Sequence, residues 1–239
     1  MTGEIDDATR TTALLVDVGT GVRLACRATP GRGGEPVVLL HALGETGRTW
    51  EPVADAFAGR PTYAVDLRGH GDSDRPDDYS VTLMRDDVVG LLDAFGLDRV
   101  SVVAHSLGAM VACLVAEAVP DRVGTLVLED PHPLRPADPP RAVPARPAGA
   151  LDFDWGMVGQ LMPRRNDPDP AWWDALARIT ARTLVVAGGP ASHLPQDQIA
   201  DLAARIPGGR LVTVPVGHEV HANATDEYIR IVRTFLEAG

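Results

Sequence analysis

Six short strand-like runs, at residues 37–40, 62–65, 100–104, 125–128, 183–187 and 210–214, recur along this 239-residue chain with helical periodicity between them. Most are unbroken Val/Leu stretches rather than alternating patterns. A strand that is apolar at successive positions is buried on both faces, which is the situation inside a parallel sheet covered by helices. The intervening helices are expected at 50–57, 83–95, 107–119, 197–206 and 226–236. Ahead of them, residues 14–18 and 22–27 flank Gly19-Thr20-Gly21, which supplies the turn of a β-hairpin. A hairpin followed by β/α alternation predicts an α/β fold. Its sheet is open and mostly parallel, with an N-terminal antiparallel hairpin and helices on both faces.

One region breaks this rhythm. Between residues 131 and 147 prolines recur every few positions, which rules out regular helix or central strand. The segment leads into two helical stretches, 151–162 and 170–179, that carry Trp155, Trp172 and Trp173. A structureless connection of this length is uncommon. Residues 131–180 therefore read as a small helical cap inserted into a core formed by 1–130 and 181–239.

Composition narrows the chemistry. The net charge is −11 and the pI near 5.0, a field that repels phosphate backbones and anionic lipid. Neither nucleic acid nor a membrane is an expected partner; a small-molecule substrate is. Every basic residue other than histidine is arginine, so Schiff-base lysine chemistry is excluded. Cys26 and Cys113 are too few and too isolated for a metal cage or a disulfide framework, and no metal or cofactor is expected. No apolar run reaches the ~18 residues of a membrane span, and residues 1–10 are polar and acidic rather than signal-like. A cytoplasmic protein is the expectation. Oligomeric state has no signature in the sequence.

The informative stretch is Val100-Ser101-Val102-Val103-Ala104-His105-Ser106-Leu107-Gly108-Ala109. An apolar strand runs into a serine and straight out into a helix. So tight a turn brings the strand end and helix start together, and the positions two before and two after the serine must be small. They are Ala104 and Gly108. Such a turn would hold Ser106 Oγ exposed above the sheet, with the Leu107 N–H aimed at a developing oxyanion. The loop His41-Ala42-Leu43-Gly44, at the end of the 37–40 strand, can present a second donor, the N–H of Leu43. Asp66-Leu67-Arg68-Gly69-His70-Gly71-Asp72-Ser73 reads as a structural loop beneath. Near the C-terminus, Gly217-His218 follows the last strand, where a side chain can swing over the sheet's carboxyl edge. His221 is the alternative base, and His105 is directed the wrong way along the turn to be one.

As a set, the oxyanion loop, the D-x-R-G-x-G-x-S loop, the nucleophile turn, the cap and the terminal Gly-His resemble the α/β-hydrolase superfamily over nearly the whole chain. Ala42 and Ala104 stand where that family usually has glycine. The resemblance implies an α/β-hydrolase fold, a Ser…acid…His order and esterase-like hydrolysis through an acyl-enzyme. The acid departs from the usual pattern. Relatives tend to read G-x-x-D after the 183–187 strand, whereas this chain reads Gly188-Gly189-Pro190-Ala191. Some members, haloalkane dehalogenases among them, carry the acid one strand earlier. There this chain has Glu129-Asp130, and Asp130 lies 24 residues after Ser106, about the spacing those relatives use. Asp130 is the favoured acid. Glu129 is the alternative, since a one-residue shift reverses a strand side chain's direction, and a His218 without a carboxylate partner remains a third reading.

On this reading His218 takes the Ser106 proton as Oγ attacks a carbonyl, and the N–H groups of Leu43 and Leu107 hold the oxyanion. Trp50, His105, Trp155, Met157 and Leu161, with Met162, are expected to wall the substrate pocket. The expected reaction is cleavage of an ester, lactone or related acyl bond of a small apolar substrate. Two alternatives keep the fold: a biosynthetic, C–C-bond or perhydrolase-type reaction, and a slow-turnover ligand-binding receptor.

Overall fold

The computed structural model describes residues 11–57 and 59–238. Residues 1–10, expected not to be a signal sequence, lie outside the described residues. Among the described residues, eight strands form one sheet: β1 (Thr12–Asp17), β2 (Arg23–Thr29), β3 (Val37–Leu40), β4 (Thr62–Val65), β5 (Val100–His105), β6 (Val123–Glu129), β7 (Arg182–Ala187) and β8 (Arg210–Thr213). Their spatial order is β1-β2-β4-β3-β5-β6-β7-β8. The β1–β2 hairpin and the β2–β4 pair are antiparallel, and every other pair is parallel. Seven α-helices accompany them: α1 (Val81–Ala94), α2 (Leu107–Ala118), α3 (Gly156–Asn166), α4 (Ala171–Leu176), α5 (Gln196–Arg205), α6 (Val220–Asn223) and α7 (Thr225–Glu237).

The central strands are apolar at nearly every position because each serves two cores. Val38, Leu40, Val102, Ala104, Leu126, Leu128 and Val185 pack with α1, α2 and α5 on one face. Their neighbours Val37, Leu39, Val103, Val127, Leu184 and Val186 point the other way, onto Trp50, Phe57, Tyr228 and Val232. That alternation is the period of a strand read from both sides. The outer strands differ. β8 is exposed along its whole length and β1 along nearly all of it, so the runs at 210–214 and 14–18 mark sheet edges rather than the interior.

Local chemistry decides the element boundaries. Ser80 caps α1 by accepting from the Leu83 N–H at 3.1 Å. The helix expected at 50–57 forms as a 3₁₀ helix over Gly47–Phe57. Pro52 lies inside it, and a residue without an N–H cannot join an i→i−4 ladder. Between β6 and β7 the proline-rich stretch is irregular, and α3 and α4 follow, each shorter or later than periodicity suggests. No helix among the described residues is long and apolar enough to cross a membrane.

Candidate active site

Ser106 stands between β5 and α2 at φ 49, ψ −106, a conformation that L-residues rarely adopt. The turn is sharp enough that the start of α2 touches the end of β3. A Cβ on Gly108 would lie 2.5 Å from the Leu40 carbonyl oxygen and 2.7 Å from that of His41. The size limit inferred from the sequence is thus a backbone contact. Unlike Ser80, Ser106 makes no capping bond to its own helix, which leaves Oγ directed elsewhere.

Ser106 lines a cavity of about 450 Å³ together with Leu43, Leu107, Leu161, Met162 and His218. They reach it from four elements: the loop after β3, the start of α2, α3 (both Leu161 and Met162), and the loop after β8. His218 Nδ1 lies 2.7 Å from Asp130 Oδ2. Asp130, just past β6, is fully buried and also has a positive φ, 36°. Its Oδ1 accepts from the Gly188 N–H at 2.8 Å and from Gln196 Nε2 at 3.2 Å, and its Oδ2 also accepts from the Ser192 hydroxyl. Burial, the largest single influence, opposes ionisation of Asp130. The bonds from His218, Ser192, Gly188 and Gln196 together outweigh it and hold the carboxyl below its usual range. The loop after β7, which lacks an acid of its own, therefore cradles the acid supplied by β6. A Cβ on Gly188 would fall 2.1 Å from the Gly217 carbonyl, so this cradle also seats the His218 loop.

The alternatives weighed for base and acid are paired with each other. Glu129 Oε1 accepts from the His221 N–H at 2.9 Å and lies 2.8 Å from His221 Nδ1, with both side chains buried. His221 Nε2 is 2.9 Å from Thr49 Oγ1. His105 is fully buried rather than lining the pocket. Its Nε2 donates to the His218 carbonyl at 2.9 Å, and its Nδ1 faces Glu45 Oε2 at 3.5 Å. Burial pulls the His105 pKa down most strongly, but Glu129, Glu45 and the His218 carbonyl prevail and raise it to about 9. Glu45 is correspondingly held at about 2 despite its burial, by His105 and by the Ala42 N–H. Beneath the His218 loop lies a compact charged network, of which Glu45 reaches the cavity. His105, Glu129 and His221 also have metal-ligand spacing; Glu129 is hydrogen-bonded to His221 and attracts His105 by charge.

Three more expected pocket residues stand elsewhere. Trp50 is buried in the core formed with α7, stacked on the His221 ring at 4.8 Å. Trp155 packs on Phe153 at 5.8 Å, outside the cavity lining. Met157 is fully buried in the main core under the Gly69 turn. Trp50 and Met157 found closure by packing inward, where burial is worth about 1.5–3 kcal/mol each, whereas Trp155 stays half-buried. Leu161 does line the cavity. Sequence reading missed Glu45, His132, Arg165, His193, Ser192 and Gln196. Ser192 was detectable as a hydroxyl in the loop that should have held the acid; the others carry no local signal.

The loops below are braced as expected of a structural segment. Asp66 accepts from the Gly47 N–H at 2.7 Å and pairs with Arg27, and Arg68 forms a buried ion pair with Asp87. His41 donates through Nδ1 to the Ala42 carbonyl and accepts through Nε2 from the Leu67 N–H, tying the loop after β3 to the loop after β4.

An open sheet with a strained strand–serine–helix turn, a terminal-loop histidine and an acid between them defines a hydrolase-type scaffold. The profile of the alpha/beta hydrolase fold matches residues 35–183, more than half the sequence, and the chain belongs to that family. An uncharacterised Mycobacterium tuberculosis protein is 40% identical over 97 residues, 40% of this chain but only 28% of its own length. The sn-1-specific diacylglycerol lipase of Mus musculus is 25% identical over 246 aligned residues, covering 84% of this chain and 80% of its own. A hydrolase from Pseudomonas aeruginosa superposes with a TM-score of 0.81 at 25% identity, over 98% of this chain and 99% of its own.

Proposed function

We propose that this chain is a serine hydrolase that cleaves an ester, lactone or related acyl bond through a Ser106 acyl-enzyme. The observation that carries the reading is the conjunction at one cavity wall. Ser106 is held at positive φ without capping its helix, and His218, with Nδ1 bound to Asp130, lines the same cavity. Bonding at Nδ1 leaves Nε2 as the basic nitrogen, the tautomer a general base needs. His218 Nε2 takes the Ser106 proton while Oγ attacks the carbonyl carbon. The tetrahedral oxyanion is held by the N–H groups of Leu43 and Leu107, and its collapse expels the alcohol, which takes the proton from His218. Water, deprotonated by the same nitrogen, then attacks the acyl-enzyme, and collapse releases the acid as His218 returns that proton to Ser106 Oγ. Residues 131–180 act as the cap, with α3 supplying the Leu161 and Met162 wall of the cavity.

Labelling with a fluorophosphonate probe tests the reading. Stoichiometric adduct on Ser106 is expected, located by peptide mass spectrometry, along with loss of aryl-ester turnover in Ser106→Ala. An intact protein that takes up no probe at Ser106 would refute it.

A further inference from the structure

The cavity lined by Ser106 also carries a cation, Arg165, that makes no ion pair among the described residues. Arg164 and Arg165 both lie in the last turn of α3, where guanidinium groups commonly offset the helix dipole. Arg164 takes the structural role, donating to the Tyr79 carbonyl at 3.1 Å. Arg165 instead lines the cavity, and its Nε is buried without a hydrogen-bond partner. Among the described residues no carboxylate stands in ion-pair contact with it, in a chain of net charge −11. His132 reaches the same cavity from just beyond Asp130. It is 5% exposed, and its Nδ1 is likewise buried without a partner. Burial first, then the nearby Arg165, Arg141, His193 and His218, push the His132 pKa down to about 3, so the ring is neutral and keeps one N–H to donate. Buried polar groups are ordinarily satisfied, and two cavity-lining side chains that each carry an unpartnered polar atom mark a place for a missing acceptor.

We propose that Arg165 and His132 form a carboxylate-binding subsite, so that the substrate cleaved at Ser106 is an acyl compound with a carboxylate at its far end. The inference rests on the Ser106 reading for the reaction, but not for the binding. A planar carboxylate suits the guanidinium fork, and a single negative charge matches a single cation. A doubly charged phosphate fits less well, because Glu45 and Glu219 also line the cavity.

The matched esters p-nitrophenyl hydrogen glutarate and p-nitrophenyl valerate, which share an acyl chain length, read this out directly. The ratio of their kcat/KM values should favour the glutarate in the wild type. In Arg165→Met it should fall about tenfold or more, with partial recovery in Arg165→Lys. A ratio isolates charge recognition from any general loss of activity. The thermal midpoint of Arg165→Met should not drop, since no ion pair is lost. A ratio that stays within about threefold of wild type in Arg165→Met overturns the proposal. Binding supplies a readout independent of turnover. Titration calorimetry should give Ser106→Ala protein about tenfold or more tighter affinity for glutarate than the Ser106→Ala, Arg165→Met double variant. Equal affinities, or no binding by either, overturn the subsite. If Ser106→Ala still hydrolyses the valerate ester while glutarate binding depends on Arg165, the acyl-enzyme reading fails and the subsite stands.

Discussion

Ser106 and Asp130 are the two non-glycine residues with positive φ among the described residues, and they end the adjacent strands β5 and β6. Conformations of this kind cost on the order of 1–3 kcal/mol each and persist only where the surroundings enforce them. At Asp130 the enforcement is visible in the bonds from Gly188, Gln196, Ser192 and His218. Asp130→Asn keeps the shape but lets an amide face His218 Nδ1, favouring the wrong imidazole tautomer. It should lower kcat by about 10³–10⁴ with little change in KM, measured on an aryl ester. A second residue-scale expectation concerns His105, whose pKa is raised to about 9 in the folded protein. A raised histidine pKa stabilises fully below its unfolded value of about 6.5, and that contribution is lost as pH climbs through the folded value. The difference in thermal midpoint between wild type and His105→Asn should therefore be largest near pH 6 and shrink toward pH 9.5. A pH-independent difference would mean that His105 is held neutral. Little of this network was legible in the sequence. Ser106 and His218 stood out because turn chemistry and chain position mark them. Between Glu129 and Asp130 only the spacing that the resemblance suggested favoured Asp130, because residue type cannot say where β6 stops. Both carboxylates are used, on different histidines.

At the scale of elements, the Ser106 turn is a contact among β3, β5 and α2. The close approach of Gly108 to the Leu40 and His41 carbonyls means that any side chain there pushes α2 off the sheet. Gly108→Ala is expected to cost about 1–3 kcal/mol, read by chemical denaturation, and to reduce turnover further by shifting the Ser106 and Leu107 backbone. Ala104 offers the reverse case. It is buried in β5 opposite Leu40 and Leu128, and Ala104→Gly should cost only about 0.5–1 kcal/mol. The sequence carried the central strands to within a residue or two, since unbroken apolar runs have few ways to be buried. Elements near the site were harder. The 3₁₀ helix at Gly47–Phe57 contains a proline that periodicity counts as neutral, and the short α6 carries a backbone bond from the His221 N–H to the distant Glu129. Pocket lining was least legible, because Trp50, Trp155 and Met157 are apolar enough for either fate and only tertiary packing decides.

Across the whole molecule, the separation between core and cap is weaker than an insertion at 131–180 suggests. Leu161, Trp172, Leu176 and Ile179 belong to the same buried cluster as β5, β6 and α2, and Met157 fills the space under the Gly69 turn. At about 1.5–3 kcal/mol for each such side chain, these five residues contribute on the order of 10 kcal/mol. That is comparable to the entire stability of a typical domain, about 5–15 kcal/mol. The proline-rich stretch gives the region the look of a detachable lid, while its second half closes one face of the sheet. Replacing residues 131–180 by a flexible Gly/Ser linker tests the point. About 15 residues suffice to join the parallel neighbours β6 and β7 without strain. The shortened chain is expected to lose cooperative thermal unfolding and to bind a hydrophobic dye. A sharp transition in the shortened protein would instead make the cap an independent module. The same packing explains why a cavity wall made by α3 can hold Arg165 in place: the helix is anchored in the core on one side and faces the site on the other.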